Sequence, residues 1–425
     1  TYESLNGSRT DITTFSMRAD GPLWTLWGGA LRAAVGIERR RETFEYYSRQ
    51  RRPSGVTSTA PFLPGDRTTD AVFAELFAPI IGAENGVPLV HDFTLSLSLR
   101  HEAPSDFEAT TVPKIGVRWG WSEDFALRAT WGESFKAPQF QQMLGNTVGT
   151  LSTATPTQDP FATNGSTGVL LLGGSNRFLE PEQATTWTAG FDYNPSWLSG
   201  LELSATYFDI DFVDRIGNAG SVLAALANPA GFEGVFIRNP TADQIAAYLG
   251  FANQVVWAMP VDGIEVIWDG RLVNLATQRT RGIDFNAAYT HETAFGQLRW
   301  FANASLLLQH ERRATPAAAP LDLRDTIFNP VDLRGRAGVS WSSENWSALA
   351  AVNYVDDYRD NISTPNREID EWVTWDARLA HTWREDGAPG LQIALNAQNL
   401  FDEDPPFANN PIGYAFDSQN ASGIG

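Results

Sequence analysis

The stretch Phe93-Thr94-Leu95-Ser96-Leu97-Ser98-Leu99-Arg100 alternates strictly between apolar and polar residues. Successive side chains of an extended chain point to opposite faces, so the phenylalanine and the leucines share one face, and the hydroxyl residues and the arginine share the other. This period of two predicts a β-strand with one apolar and one polar face.

The same alternation recurs along most of the chain and predicts about fourteen strands. Each repeat is roughly the 9–11 residues that a tilted strand needs to cross a bilayer. The predicted strands lie near 12–20, 24–41, 70–81, 93–100, 115–121, 125–131, 187–193, 201–212, 283–289, 298–308, 337–341, 346–354, 373–379 and 391–397.

The predicted connections alternate between short and long, provided that the weak strand near 70–81 is counted. Tight turns at one end and long loops at the other are typical of an outer-membrane barrel, whereas a Greek-key sandwich does not sort its loops in this way. Short turns are predicted at Asp20–Leu23, Gly82–Gly86, Ser122–Asp124, Asn194–Gly200, Thr290–Gly296, Ser342–Asn345 and Arg384–Gly390. The long connections are predicted near 42–69, 103–111, 136–183, 213–275, 312–329 and 358–370.

Aromatic residues mark the strand ends at the short turns. The chain contains 15 Trp, 25 Phe and 10 Tyr, and nearly all the rings at these ends are in phase with the apolar face of their strand. Amphipathic rings prefer the membrane–water interface, so the pattern indicates a belt of rings at one height. The belt comprises Trp121, Phe125, Tyr193, Trp197, Tyr289, Trp341, Trp346 and Trp383.

The opposite face of the predicted strands is strongly polar, with charged residues such as Arg100, Arg118, Arg128, Asp284 and Asp376. A sandwich would expose these residues to bulk water, and a wide barrel would turn them to a wet or plugged interior. Alternation alone does not separate the two folds. The sorting of the loops and the aromatic belt favour an all-β, transmembrane antiparallel barrel surrounded by outer-membrane lipid.

One strand departs from the regular pattern. After Tyr207 the phase changes, and Phe208, Ile210 and Phe212 become the apolar set. A β-bulge would explain the change, and so would the exit of the strand from the bilayer.

Composition excludes several other classes of protein. The net charge of −19 argues against a nucleic-acid partner, and the absence of cysteine excludes disulfides and thiolate metal sites. The sequence contains no run of about 18 apolar residues, so it predicts no transmembrane helix. The five histidines lack metal-ligand spacing, and no P-loop or G-x-S-x-G elbow occurs. We therefore expect no enzyme activity, no catalytic residues, no cofactor and no bound metal.

Acidic residues cluster at three places near the predicted loops: Asp356-Asp357, then Glu368, Asp370 and Glu371, and finally Asp402-Glu403-Asp404. Such clusters bind divalent cations in some proteins, directly or as bridges to lipopolysaccharide. The fixed ligand spacing of a calcium loop is missing here, which favours solvated loops.

The long connection at 213–275 is the best candidate for contact with a ligand. Arg238, Trp257 and Trp268 are the candidate residues, because aromatic rings and arginine bind aromatic or anionic ligands by stacking and charge. A connection of this length also folds on itself, with the aromatic residues as its core, and we favour that interpretation. The segment 242–252 has helical spacing of its apolar residues.

Five segments resemble motifs of the TonB-dependent receptors of proteobacteria, and together they cover about residues 10–415. Each motif is weak alone, but their order and spacing are fairly specific. The segments are Trp131-Gly132-Glu133-Ser134-Phe135-Lys136-Ala137-Pro138; Leu179-Glu180-Pro181-Glu182 followed by Thr186-Trp187-Thr188-Ala189-Gly190; Ala205-Thr206-Tyr207-Phe208-Asp209-Ile210-Asp211; Arg281-Gly282-Ile283-Asp284-Phe285; and Asn399-Leu400-Phe401-Asp402-Glu403-Asp404-Pro405-Pro406.

The resemblance implies that residues 1–425 are part of a barrel of about 22 strands closed around a plug domain, with the TonB box, the plug and the final strand outside this sequence. It implies a bacterial outer-membrane receptor that takes up a small molecule with energy from TonB. Typical ligands of such receptors are a ferric siderophore, haem, cobalamin or a carbohydrate, and a ferric siderophore is our first expectation. The alternatives are a passive porin-like barrel and a soluble all-β binding or adhesion protein.

Overall fold

The computed structural model describes residues 3–51, 57–59, 64–155, 157–162, 165–218, 220–315, 318–383, 390–410 and 415–421. In these residues, fourteen strands form one antiparallel sheet in which each strand pairs with the next along the chain. The strands are β1 Glu3–Leu26, β2 Gly29–Arg51, β3 Gly65–Ile81, β4 Asp92–Pro104, β5 Thr110–Gly120, β6 Phe125–Lys136, β7 Glu182–Tyr193, β8 Leu201–Gly217, β9 Val273–Thr293, β10 Gly296–Arg313, β11 Leu333–Ser342, β12 Trp346–Val355, β13 Trp372–Trp383 and β14 Leu391–Ala397. The predicted strand number and the predicted meander are confirmed.

Two short segments pair with this sheet, and two of its strands are edge strands. Thr57–Thr59 pairs with β2, and Leu321–Asp322 pairs with β10. Among the described residues, β1 and β14 each have a neighbour on one side only, so the sheet does not close on itself.

The strand register keeps the two faces of the sheet chemically distinct. Leu97 of β4 stands between Leu76 of β3 and Ile115 of β5, all on the apolar face. The next residue, Ser98, stands between Glu75 and Lys114 on the polar face. Large side chains of the apolar face are open to the surroundings, as in the 49% exposure of Leu99. A continuous exposed apolar surface of this extent is typical of contact with lipid.

Six strands are much longer than the predicted 9–11 residues, with 17 to 24 residues each: β1, β2, β3, β8, β9 and β10. Their ends next to the long connections are rich in polar and charged residues, and on β2, β3 and β10 the charges lie on both faces, so the alternation that revealed the strands is lost there. On β2, for example, Arg41 lies 2.6 Å from Asp66 of β3. The predicted long connection at 42–69 is correspondingly reduced to residues 52–64.

The predicted turn at Asp20–Leu23 is wrong, because β1 continues to Leu26 and turns at Trp27-Gly28. The sequence Asp20-Gly21-Pro22 has the composition of a turn, yet it lies within the strand. A register shift between Pro22 and Trp24 accommodates it. Proline is tolerated at an edge strand or at a bulge because no ladder hydrogen bond needs its missing N–H.

The other predicted connections agree with the structure to within a few residues. The turn predicted at Thr290–Gly296 is tighter, since only Ala294-Phe295 separates β9 from β10. Apart from Gly390, the turn predicted at Arg384–Gly390 lies outside the described residues.

The phase change after Tyr207 is not a bulge at that position. β8 pairs with β7 and β9 without interruption through Phe212, and its register shifts only beyond that residue. Asp209 follows Tyr207 on the same face and forms ion pairs with Arg279 at 2.9 Å and Arg281 at 3.0 Å. The apolar face thus becomes charged one row beyond Tyr207, which supports the exit of the strand from the bilayer.

The connections between β6 and β7 and between β8 and β9 fold together as one unit, called the loop domain here. Its five-stranded sheet has the order Phe236–Arg238, Val266–Arg271, Thr167–Gly174, Thr147–Ala154 and Gln254–Trp257. Fully buried apolar residues form its core, including Leu151, Leu170, Leu226, Val266 and Ile267. Three helices belong to the same connections: α1 Phe140–Leu144, α2 Val222–Ala227 and α3 Ala242–Phe251.

The helix α3 confirms the helical spacing at 242–252. Its N-cap Thr241 accepts a hydrogen bond from the backbone N–H of Gln244, and the Gln244 side chain accepts one in return. This reciprocal cap satisfies two backbone donors that the helix itself cannot. Short 3₁₀ helices occur at Ala83–Asn85, Pro229–Phe232 and Val261–Gly263. No helix in the described part of the chain is long and apolar enough to cross a membrane.

A second cluster of buried residues forms where the chain beyond β14 returns to the connections flanking β11 to β13. Short strands at Tyr358–Asp360 and Arg367–Ile369 pair there. Asp417 accepts a hydrogen bond from the Phe328 N–H at 2.8 Å. The cluster comprises Ile327, Val331, Val355, Tyr358, Ile369, Trp372 and Ala408.

Candidate ligand-binding site on the polar face

The predicted ligand-contact residues Arg238, Trp257 and Trp268 lie in the loop domain but do not form one exposed surface. Trp268 is only 4% exposed and packs edge-on against Phe232, with 5.6 Å between ring centroids. Arg238 donates two hydrogen bonds to Asp159, at 2.9 and 3.1 Å. Trp257 is 60% exposed. Trp268 is therefore a core residue, and contact of Arg238 or Trp257 with a ligand stays a prediction.

The polar face of the sheet is held by ion pairs and hydrogen bonds between neighbouring strands. Arg128 of β6 donates to Thr206 of β8 at 2.6 Å, across the intervening β7. Arg336 of β11 lies 2.6 Å from Asp376 of β13 in the same manner. A face with this density of charge needs water or polar protein groups beside it.

A pocket of about 530 Å³ lies on this face, at the ends of β2, β3 and β4 next to the long connections. Its volume falls within the roughly 300–1,000 Å³ of small-molecule sites. Its lining includes Thr10 of β1; Arg40, Glu42 and Phe44 of β2; Arg67 and Thr69 of β3; Glu102 of β4; Phe135 of β6; and Phe107 and Phe140 of the connections.

Arg67 anchors the floor of this pocket. Arg67 is only 5% exposed. Its Nε donates to Asp106 Oδ1 and its Nη2 donates to Asp106 Oδ2, each at 2.8 Å. It also donates to the Pro138 carbonyl at 2.9 Å. The guanidinium carbon lies 4.9 Å from the ring centroids of both Phe107 and Phe140. Arg67 thus ties β3 to two connections that approach it from different parts of the chain.

The other charged residues of the lining, Arg40, Glu42 and Glu102, pair with one another or with Glu38 and Arg100 beside the pocket. Arg100 lies 3.3 Å from Glu38 and 2.5 Å from Glu102. Arg40 lies 3.5 Å from Glu38 through Nη1 and 3.6 Å from Glu42 through Nε. The second distance is too long for a hydrogen bond. Arg40 Nε is shielded from solvent and has no hydrogen-bond partner among the described residues.

Aromatic rings supply the apolar part of the pocket. Phe44 and Phe140 stack with 5.9 Å between centroids and 16° between planes. Charged groups beside flat apolar surfaces are typical of sites that orient a small ligand by a few polar contacts.

Sequence reasoning missed this pocket and favoured the loop at 213–275 instead. Its polar members come from four strands, β1 to β4, and from the connection that follows β6. The available signal was the run Glu38-Arg39-Arg40-Arg41-Glu42, which places alternate charges on one face of a strand. Nothing local in that run shows which residues of β3 and β4 stand opposite it.

The acidic clusters show no geometry typical of a bound cation. Within the described ranges, no three His, Asp or Glu side chains are grouped to hold a metal ion. Glu368 instead lies 3.4 Å from Arg359. Asp356 belongs to a different set of carboxyls, with Asp325 and Asp332 at the start of β11. Burial raises the pKa of Asp332 to about 6, and its hydrogen bond with Asp356 and the negative charges of Asp325 and Asp356 act in the same direction.

Substitution of Asp332 by asparagine is expected to stabilise these loops at neutral pH. A carboxyl whose pKa is raised in the folded state binds more protons there than in the unfolded state between about pH 4 and pH 6, so folding stability falls as the pH rises through that window. Asp332→Asn should remove this dependence and gain about 1 kcal/mol at pH 7. Hydrogen exchange of residues 323–333, corrected for intrinsic rates at pH 5 and 7, measures the effect. The exposed Asp404→Asn is the control, and an unchanged pH dependence in Asp332→Asn would contradict the assignment.

The structure defines a class of protein: a membrane β-barrel sheet whose apolar face meets lipid and whose polar face lines an interior, with long connections at one end. The chain belongs to the family described as TonB dependent receptor-like, beta-barrel, which matches residues 1–400. Barrels of this family are non-enzymatic proteins of the bacterial outer membrane. The comparison with curated protein sequences gave no match.

Solved structures with the same fold include several siderophore receptors. The siderophore receptor PirA from Pseudomonas aeruginosa is 17% identical, with a TM-score of 0.55 over 95% of this chain and 57% of that chain. A mutant of the ferric enterobactin receptor PfeA from Pseudomonas aeruginosa, in complex with enterobactin, is 15% identical, with a TM-score of 0.57 over 93% and 49%. PirA from Acinetobacter baumannii is 14% identical, with a TM-score of 0.58 over 93% and 51%. The chain thus spans about half the length of these receptors, and the likeness shows the fold alone.

Proposed function

We propose that the complete receptor takes up a scarce small-molecule nutrient across the outer membrane, driven by TonB. The observation that carries the proposal is the pairing of a lipid-exposed apolar face with a polar face that holds a ligand-sized pocket, in a chain of this family. The pocket lies at the end of the sheet next to the long connections, where a ligand from outside the cell would arrive.

The sheet itself supports the expectation of further strands and a plug. Lipid offers no partner for unpaired backbone groups, so the open edges at β1 and β14 must pair with other strands in the membrane. The polar face, with groups such as Arg128 and Arg336, would bind a plug by hydrogen bonds and ion pairs. We propose that residues 1–425 form the larger part of one barrel domain, closed by strands of the complete receptor around a plug that TonB pulls.

A ferric siderophore is the nutrient that the family resemblance suggests first, and the three neighbours above are two siderophore receptors and a ferric enterobactin receptor. Their identity of 14–17% supports the fold and leaves the ligand to be decided from the pocket itself.

Uptake by living cells tests the proposed function without a prior choice of ligand. Wild-type, receptor-deletion and TonB-deletion strains would be grown on single limiting sources of ferric siderophore, haem, cobalamin or oligosaccharide. We expect one source whose uptake requires both the receptor and TonB, and whose uptake returns when the receptor is restored. Uptake through the receptor that continues without TonB would identify a passive porin, and release of the receptor from the membrane fraction would identify a soluble protein.

A further inference from the structure

We infer that two of the short turns are membrane anchors, which insert Leu89 and Phe295 into the lipid of the periplasmic leaflet of the outer membrane. Leu89 lies in the turn between β3 and β4, and Phe295 lies in the turn between β9 and β10. The anchors are defined by their exposure, by their attachment to tryptophans of the lipid face and by the backbone conformation of Leu89. They act on the contact of the receptor with lipid, whichever ligand is transported.

Both turns present apolar side chains at a place where polar residues are usual. Leu89 is 61% exposed and Phe295 is 62% exposed, and Val87 beside Leu89 is 40% exposed. The segments 86–90 and 293–296 contain no charged residue. Apolar surface in contact with water is unfavourable, so these turns favour apolar surroundings.

Tryptophan side chains of the lipid face bind both turns. Trp119 Nε1 donates a hydrogen bond to the Leu89 carbonyl, and Trp341 Nε1 donates one to the Phe295 carbonyl, each at 2.9 Å. Trp341 belongs to the aromatic belt, and Trp119 stacks on Trp121 of that belt with 5.8 Å between ring centroids. An indole combines an apolar ring with one donor and prefers the membrane–water interface. The two turns are therefore continuous with the surface that meets lipid, at the height of the belt.

The backbone of the first turn is strained at its exposed leucine. Val87 and Val90 exchange backbone hydrogen bonds of 2.9 and 2.8 Å, so Pro88 and Leu89 occupy the two central positions of a tight turn. Leu89 has a φ of 69°, a conformation that Gly or Asn adopts at a lower cost than leucine. Insertion of the leucine side chain into lipid offsets this cost, whereas exposure to water does not.

Two other short turns at the same end of the sheet have the opposite character. The turn between β5 and β6 carries Glu123, and the turn between β11 and β12 carries Glu344, and both residues are exposed. Carboxylates are costly to remove from water, so we expect these two turns to stay in the aqueous phase. They supply matched positions for a test.

Spin labels on the complete receptor, reconstituted in liposomes of phosphatidylethanolamine and phosphatidylglycerol, measure the depth of each turn. The present chain has no cysteine, and any cysteine elsewhere in the receptor would be replaced by serine. Single labels at Val87→Cys and Ala294→Cys lie beside the anchors, and labels at Glu123→Cys and Glu344→Cys report the acidic turns. Oxygen concentrates in lipid, whereas a nickel chelate stays in water. We expect the labels at 87 and 294 to favour oxygen and to lie about 5–10 Å deeper than the other two, the depth of interfacial apolar groups.

Variants of the anchors show whether their side chains cause this depth. Leu89→Asn keeps a residue that tolerates a positive φ but removes the apolar side chain, so the label at 87 should move to the depth of the acidic turns. Phe295→Asn should do the same to the label at 294. Each variant is the control for the other turn, whose label should not move. Unchanged heat-modifiable migration would show that the barrel is folded.

Three results would overturn the assignment. The labels at 87 and 294 would react with the nickel chelate as freely as those at 123 and 344 if the turns lay in water. They would be closed to both reagents if protein covered the turns. An unchanged depth in Leu89→Asn and Phe295→Asn would show that these side chains are not the anchors. None of these results bears on TonB-dependent uptake, which the cell assay decides separately.

Discussion

An arginine at position 97 is expected to destabilise the folded receptor by about 2–4 kcal/mol, the cost of a charge on the lipid face near the middle of a membrane barrel. Leu97 lies between Leu76 and Ile115 on the apolar face, well inside β4. No carboxylate stands beside it in the register, so the guanidinium of Leu97→Arg would face hydrocarbon. Reversible unfolding in urea from lipid bilayers measures the difference.

The adjacent position supplies the control for this prediction. Ser98 has the same depth in the membrane but faces the polar side, between Glu75 on β3, which would attract an arginine, and Lys114 on β5, which would repel it. Ser98→Arg should therefore change the free energy of unfolding by less than about 1 kcal/mol, as a surface ion pair does. Equal losses from Leu97→Arg and Ser98→Arg would show that the apolar face does not meet lipid, and the assignment of the two faces would fail.

Removal of the Asp159 carboxylate is expected to open the loop domain. The Asp159 side chain is fully buried and accepts hydrogen bonds from Arg238, from the Thr167 hydroxyl at 2.5 Å and from the Phe161 N–H at 3.0 Å. Loss of one member of a buried ion pair costs about 3–5 kcal/mol, because the other charge is left buried. The 26% exposure of the Arg238 side chain places the expected loss for Asp159→Ala near the lower value.

Hydrogen exchange resolves this effect within the receptor. We expect Asp159→Ala to lose protection at Thr167–Gly174 and Val266–Arg271 and to leave the barrel strands unchanged. The exposed Asp262→Ala is the control, and Asp159→Ala combined with Arg238→Met should recover part of the loss, because the buried charge is then removed. Full protection in Asp159→Ala would mean that the pair does not hold the domain.

Low pH should open the loop domain of the wild-type receptor as well. Burial acts to raise the pKa of Asp159, but the hydrogen bonds from Arg238, Thr167 and the Phe161 N–H outweigh it, and the pKa is lowered overall. A carboxyl with a lowered pKa contributes stability above its unfolded pKa of about 4 and loses it as the pH falls through the folded value. The loop domain should therefore stay closed at neutral pH and open only below about pH 4.

Residues close together in the sequence determined the strands, whereas residues far apart in it formed the pocket. Alternation within each segment predicted all fourteen strands and their order, since a period of two is set by residues two positions apart. The same rule failed where its signal is absent. The ends of β2 and β10 are charged on both faces, and Asp20-Gly21-Pro22 has turn composition inside an edge strand.

The contacts that form the pocket could not be predicted from the sequence. Arg67 and Asp106 are 39 residues apart, and Arg100 and Glu38 are 62 residues apart, yet each pair is in contact. Their meeting depends on the register of β2, β3 and β4, and a slip of one residue would turn each side chain to the opposite face.

The sequence by itself therefore determined the two-faced strands, their number and the family to which the chain belongs. The tertiary structure alone decided that Arg40, Glu42, Arg67 and Glu102 share one pocket and that Trp268 is a core residue. The physical reason is that hydrophobic periodicity acts between near neighbours in the chain, whereas a site is made by the pairing of segments that are far apart in it.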